Sequence, residues 1–221
     1  MTIDISKFGF LFDLDGVLID SERQYSKIWA TVNREYPSGI PDLQDVIKGC
    51  TLDKILADHY PDPDIQKKVV ARLYELEAKM NYDYLPGARE LLVALKERGI
   101  PAALVTSSND DKMRHLDEEI PEIRNFFAFI VTANLISHSK PDPEGYLLGA
   151  AKINRDPRHC VVFEDSIQGV KAGMNAGCFV VGVTGTNTRE ALLPYSDIVV
   201  DSLLEIDIDR LINAIEEKAS K

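Results

Sequence analysis

Cysteine is scarce in this chain: three residues in 221, at Cys50, Cys160 and Cys178. An odd, widely spaced set excludes a disulfide framework and lacks the paired spacing of a zinc site. Two of the three stand inside the apolar runs Cys160-Val161-Val162-Phe163 and Cys178-Phe179-Val180-Val181, so they read as small buried hydrophobes of a reducing compartment. Long hydrophobic runs are missing as well. No segment approaches the roughly 18 apolar residues of a membrane span, and the first apolar run, reached after Asp4 and Lys7, is too short for the core of a secretory signal. A cytoplasmic location without membrane contact is the resulting expectation. Basic charge is in deficit, with 25 Lys and Arg against 36 Asp and Glu and a formal net charge of -11. That balance repels nucleic acid backbones and anionic membranes, so no nucleic acid partner is expected, and an anionic substrate needs a locally positive pocket. Internal repeats and low-complexity tracts are absent, which leaves neither a solenoid nor a tail to account for.

What is present is the composition of an ordinary globular chain, 45% hydrophobic and 28% charged, long enough for a large core with an insert. The run from Phe8 to Phe12 is short, nearly all apolar and aromatic at every second position, the pattern of a strand buried on both faces of a parallel sheet. It ends abruptly in Asp13 and Asp15, which share a side of an extended segment, and Gly16 follows where the chain turns. From Ser21 onward apolar residues recur at helical spacing: Tyr25, Ile28, Trp29 and Val32 on one helix behind a Ser21 cap, and Ile65, Val69, Leu73, Leu76 and Met80 on another. After Leu85-Pro86-Gly87 the texture becomes strand, loop, helix, repeated. Strands are predicted at Ala102 to Val105, Phe126 to Val131, Cys160 to Phe163, Cys178 to Val183 and Asp197 to Val200. Helices begin after Pro86, at Asp142 with Asp as N-cap and Pro143 at N1, and near Gln168. This alternation predicts an α/β fold, a doubly wound parallel Rossmann-like sheet. Its core comprises residues 1–19 and 85–221, and residues 20–84 form an inserted, mostly helical domain.

Four features fall at predicted strand ends or just before helices: Asp13 with Asp15, Thr106 with Ser107 and Ser108, Lys140, and Glu164 with Asp165. Each has a plain structural reading, as turn, helix cap, surface lysine or N-cap pair. In a parallel sheet, however, strand carboxyl ends lie along one edge, so all four would converge. The chemistry they suit is phosphoryl transfer, which needs positioning and charge neutralisation above all. Asp13 is placed to accept the phosphoryl group covalently. Asp15 can protonate the leaving oxygen and then take a proton from water. Thr106 and Lys140 would hold the phosphoryl oxygens, with Ser107 and Ser108 as further candidates. Hard oxygen ligands for Mg²⁺ are on offer from Asp13, the Asp15 carbonyl, Glu164 and Asp165.

With these motifs, Asp13-Leu14-Asp15-Gly16-Val17, Leu104-Val105-Thr106-Ser107-Ser108, Ser139-Lys140-Pro141-Asp142-Pro143 and Val162-Phe163-Glu164-Asp165 running on to Gly173, the chain resembles the haloacid dehalogenase superfamily of phosphohydrolases. The insert after the first motif is similar to the four-helix cap of its β-phosphoglucomutase-like subfamily. That resemblance implies a mobile cap selecting the substrate, a flap from Gly16 to about Asp20, and a Mg²⁺-dependent phosphatase acting on a small phosphorylated metabolite of sugar phosphate type. Ile47-Lys48-Gly49-Cys50-Thr51-Leu52-Asp53 resembles the specificity loop of that cap, making Lys48 and Gly49 candidates for substrate contact and Lys79 a lesser one. The sugar mutases of the subfamily carry Arg where this chain has Leu52 and His where it has Tyr25, so hydrolysis is the expectation and phosphomutase the alternative. A remote alternative is a receiver-like phosphoacceptor module, disfavoured by the insert and by Asp15. The expected state is a monomer or weak homodimer.

Overall fold

The computed structural model of the chain describes residues 4–48, 50–80 and 82–220. Six strands form one parallel sheet: β1 (Gly9–Phe12), β2 (Ala102–Val105), β3 (Phe129–Val131), β4 (Cys160–Glu164), β5 (Phe179–Val183) and β6 (Ile198–Val200), in the order β3-β2-β1-β4-β5-β6. The α/β class expected from the alternating pattern is the class observed. β1 lies in the middle, paired with β2 through Phe12 and Leu104 and with β4 through Phe12 and Phe163. The order reverses beside β1, the point at which open α/β sheets leave a crevice above their strand ends.

Alternation along β1 sends Phe8, Phe10 and Phe12 into one apolar layer and Leu11 into the other. The rings of Phe12 and Phe163 stack with centroids 4.7 Å apart and planes 6° from parallel. The first layer is covered by α5 (Ala88–Glu97), α6 (Asp110–Glu119) and α10 (Ile208–Ala219), the second by α7 (Glu144–Lys152) and α8 (Ile167–Asn175), with the short α9 (Arg189–Leu192) beside β5. Numbered ahead of these in chain order, α1 (Glu22–Glu35), α2 (Leu43–Val46), α3 (Leu52–His59) and α4 (Pro63–Glu77) fill the span between β1 and α5. They pack through Ile28, Trp29, Val32, Ile55, Val69 and Leu73. Cys160 and Cys178 are buried in the second layer as free thiols, and burial pushes the Cys160 thiol up to about 12. Among the described residues no helix is long and apolar enough to cross a membrane.

Several local expectations shift. Ile123–Phe126 is a 3-10 turn closed by the Phe127 amide donating to the Arg124 carbonyl, so the strand predicted from Phe126 begins at Phe129. An apolar run alone does not separate a buried turn from a strand. Pro143, not Asp142, is the N-cap of α7, while the Asp142 carboxylate still accepts from the Glu144 amide at 2.9 Å. Ser21 occupies the N-cap of α1 but makes no side-chain cap bond there, because its hydroxyl donates to Asp15.

Candidate active site

Asp13 leaves the end of β1 with its amide donating to the Phe163 carbonyl at 3.0 Å, which fixes the carboxylate above the sheet edge. Gly16, with φ of +74°, turns the chain at once. A Cβ there would lie 2.0 Å from Asp165 Oδ2, so glycine is needed both for the left-handed conformation and for the room Asp165 takes. The turn then folds back through a bridge between Asp15 and Ile19, and Ile19 bridges to Tyr84.

Beneath the cleft lies a buried ionic cluster. Lys140 Nζ donates to Asp13 Oδ1 and to Glu164 Oε1, both at 2.5 Å, and to the Val105 carbonyl at 3.3 Å. Glu164 is fully buried. Its Oε1 also accepts from the Tyr146 hydroxyl at 2.9 Å, and its Oε2 accepts from the Asp165 and Ser166 amides and the Ser166 hydroxyl at 3.0 to 3.1 Å. A buried carboxylate needs such a set of donors to stay charged. Desolvation pushes the Asp13 carboxyl up to about 7, with Lys140 pulling against it and Glu164 and Asp15 adding to it. Burial alone would lower Lys140, but Asp13 and Glu164 hold it above the ordinary lysine value, as a cation.

Asp15 sits in a second, more open cluster. Both its oxygens accept from Lys112 Nζ, at 2.7 and 2.6 Å; Ser108 Oγ donates to Oδ2 at 3.2 Å, and Ser21 Oγ donates to Oδ1. Lys112 Nζ also stands 4.0 Å from the centre of the Tyr25 ring, whose hydroxyl donates to Glu77 Oε1 at 2.9 Å. Burial raises the Glu77 carboxyl above its ordinary value, opposed by Lys112 and by the Tyr25 hydrogen bond.

The cleft runs between the sheet edge and helices α1 to α4. Of the predicted residues, Asp13, Asp15, Ser107, Ser108, Asp165 and Lys48 line it, the last also 3.8 Å from Asp45. Thr106 is buried beneath, its amide donating to the Val131 carbonyl and its hydroxyl oxygen accepting from the Ser108 amide at 3.0 Å, so it shapes the turn that presents Ser107 and Ser108. Lys140 and Glu164 form the buried support of Asp13. Gly49 lies outside the described residues. Lys79 is not among the residues lining the cleft; it is exposed and pairs with Glu75 at 3.3 Å, one turn back on α4.

Sequence reading missed Lys112, Glu77, Asn109 and Tyr146. One signal for Lys112 existed: it stands four residues before Leu116, on the buried face of α6, where a lysine without an anionic partner is out of place. Asn109 caps α6 through the Lys112 amide and also donates to the Tyr74 hydroxyl at 2.9 Å, tying the sheet edge to α4.

Oxygen atoms of Asp13, Glu164 and Asp165 all lie within 4.8 Å of one another. Three buried carboxylates against one lysine are a hard, all-oxygen donor set with surplus negative charge, which fits a small divalent cation such as Mg²⁺. Both oxygens of Glu164 already accept hydrogen bonds.

The family model for haloacid dehalogenase-like hydrolases matches residues 10–183. Hexitol phosphatase A from Escherichia coli (strain K12) is 34% identical over 209 residues, covering 91% of this chain and 94% of that protein. Validoxylamine A 7'-phosphate phosphatase from Streptomyces hygroscopicus subsp. limoneus is 32% identical over 207 residues, 89% of this chain and 94% of the relative. Among solved structures, β-phosphoglucomutase from Clostridium difficile superposes with a TM-score of 0.81 at 25% identity, covering 98% of this chain and all of that one. The chain belongs to the haloacid dehalogenase-like hydrolase family. Within it, the chain is an enzyme of the phosphoric monoester hydrolase class.

Proposed function

We propose that this enzyme is a Mg²⁺-dependent phosphatase that hydrolyses a small phosphorylated metabolite of sugar phosphate type through a phosphoryl group carried on Asp13. The observation that carries the reading is the pairing of two aspartates two residues apart, one set against a buried Lys140 and the other presented on the cleft. In the first step an Asp13 oxygen forms a bond to phosphorus while the bond from phosphorus to the leaving oxygen breaks, and that oxygen takes the proton of Asp15. In the second, a water oxygen bonds to phosphorus, the bond to Asp13 breaks, and the water proton goes to Asp15, restoring both aspartates and releasing inorganic phosphate. Lys140 holds Asp13 in place and adds positive charge where the phosphoryl oxygens arrive. Ser107 and Ser108 offer hydroxyls from the loop that Thr106 shapes. Mg²⁺, held by Asp13, Asp165 and the Asp15 carbonyl with Glu164 behind them, would offset the repulsion between the anionic nucleophile and the phosphate. Residues 20–84 act as the cap that covers the reaction and selects the leaving group, with Lys48 on its cleft side.

The test is a panel of phosphorylated metabolites scored for phosphate release, with Asp13→Asn and Asp15→Asn beside the parent protein. Asp13→Asn should be inactive, and Asp15→Asn should load phosphate on Asp13 but turn over slowly. Parent-like hydrolysis by Asp13→Asn would refute the assignment. The likeness to β-phosphoglucomutase favours one second reading, a sugar phosphomutase. It requires interconversion of sugar 1- and 6-phosphates without net phosphate release, which a coupled assay separates from hydrolysis.

A further inference from the structure

We propose that Lys112 is the positioning residue for Asp15, and that Tyr25, from the inserted helices, sets Lys112 in turn; the inference rests on the phosphatase reading for its kinetic consequences. Lys112 is nearly as buried as Lys140, at 7% side-chain exposure against 6%. A lysine stem that loses its hydration needs compensation, and here both Asp15 oxygens supply it within 2.7 Å. The partner is not drawn from nearby in the chain: Lys112 and Asp15 are 97 residues apart and meet only because α6 begins at the edge of the cleft.

The contact constrains Asp15 more than the hydroxyls do. Ser21 donates one neutral hydrogen bond to Oδ1 and Ser108 one to Oδ2, whereas the ammonium holds both oxygens at once, at 2.7 and 2.6 Å, through charge-assisted bonds that are the stronger. The face of Lys112 turned toward the insert is closed by the Tyr25 ring, an arrangement that favours the cation and keeps water off it. Tyr25 is itself anchored, through its hydroxyl, on Glu77 of α4. The chain of contacts Asp15, Lys112, Tyr25, Glu77 therefore links the proton-transfer group of the core to two helices of the insert. Seating those helices and aiming Asp15 become one event, so proton transfer is best placed when the insert covers the cleft.

The kinetic signature separates positioning from a general loss of fold. Asp15 serves both steps, but p-nitrophenolate leaves without needing a proton, so with p-nitrophenyl phosphate only the second step should depend on Lys112. Lys112→Met should release one p-nitrophenolate per enzyme in a burst at a rate within about threefold of the parent, followed by turnover slowed about 30-fold, a fraction of what acid–base catalysis supplies. KM should stay within about threefold. With an alkyl phosphate, which needs its leaving oxygen protonated, the burst should vanish. Lys112→Arg, which can still bridge both oxygens, should recover turnover to within about fivefold, and Tyr25→Ala should lose about fivefold. Turnover of Lys112→Met within twofold of the parent, or a loss falling equally on burst and steady phase, would overturn the proposal. A readout independent of the substrate is the side-chain ¹⁵N resonance of Lys112, which should move in Asp15→Asn. An unmoved resonance overturns the pairing itself, whereas a moved one in a protein that hydrolyses no ester would sink the phosphatase reading and leave the pairing standing.

Discussion

Gly169 offers the sharpest test of how the buried cluster is built, because two effects of opposite sign meet there. It is the third residue of α8, where alanine is favoured over glycine by up to about 1 kcal/mol, so Gly169→Ala should stabilise the protein if helix propensity decides. Yet a Cβ on Gly169 would lie 1.8 Å from both Cδ and Oε1 of Glu164 and 2.1 Å from Oε2. Ordinary contact begins near 3.4 Å, so the carboxylate would have to retreat by roughly 1.6 Å. Glu164 cannot do so cheaply. Its oxygens accept from Lys140, Tyr146, Ser166 and the Asp165 amide at 2.5 to 3.1 Å, and a shift of that size breaks most of these bonds. Each buried polar group left unsatisfied costs about 1–3 kcal/mol, which outweighs the propensity gain and leaves a net destabilisation of about 2–4 kcal/mol. Lys140 would follow Glu164 away from Asp13, and a misplacement on the order of 1 Å is enough to lower kcat by about 100-fold. Urea unfolding and steady-state hydrolysis of p-nitrophenyl phosphate measure the two effects separately. Gly99→Ala is the control, since φ there is +68° with nothing within 4 Å of the added carbon, and it should cost about 1 kcal/mol with activity unchanged. A Gly169→Ala protein as stable and as active as the parent would refute the reasoning.

Other expectations follow from the same geometry. Glu77→Gln keeps an acceptor for Tyr25 but removes an ionisation that burial disfavours. Because the folded protein holds the Glu77 proton to higher pH than the unfolded chain does, the parent loses stability relative to Glu77→Gln as pH rises from the ordinary value of 4.5 to the raised one. Urea midpoints at pH 5 and pH 8 should diverge in that sense, and midpoints that move together would count against it. Phe163→Ala removes a ring stacked against both Phe10 and Phe12 in the central sheet and should cost about 3–5 kcal/mol in urea unfolding. Chelation of divalent cations should abolish phosphate release, reversibly on adding Mg²⁺, and Mg²⁺ should raise Tm by relieving repulsion among Asp13, Glu164 and Asp165. A Tm indifferent to Mg²⁺ would argue against that cluster as the metal site.

The sheet was legible in the residues because its strands are buried on both faces and end where polar residues begin. Phe8 to Phe12, Ala102 to Val105 and Cys160 to Phe163 each announce a strand and, directly after it, residues of the candidate site. Parallel topology then carries Asp13, the Thr106 loop and Glu164 to one edge, which is why residues 151 positions apart could be assigned together. Where pattern was ambiguous, as at Phe126, the residue closed a 3-10 turn, because the Phe127 amide found the Arg124 carbonyl, and only the Ala128 amide reached β2, at the Ala102 carbonyl. The side-chain pairing was decided only in three dimensions. Lys112 stands on the buried face of α6 and Lys79 just past the end of α4, but nothing local names the partner that either one meets. The pitch of α6 and its position at the cleft set one against Asp15, while the turn that follows α4 brings the other beside Glu75. Periodicity fixes which face of a helix is buried, but what that face meets depends on how the elements pack. Asp13 and Asp15, two residues apart in the sequence, accordingly rest on lysines from different parts of the chain, one following β3 and the other following β2.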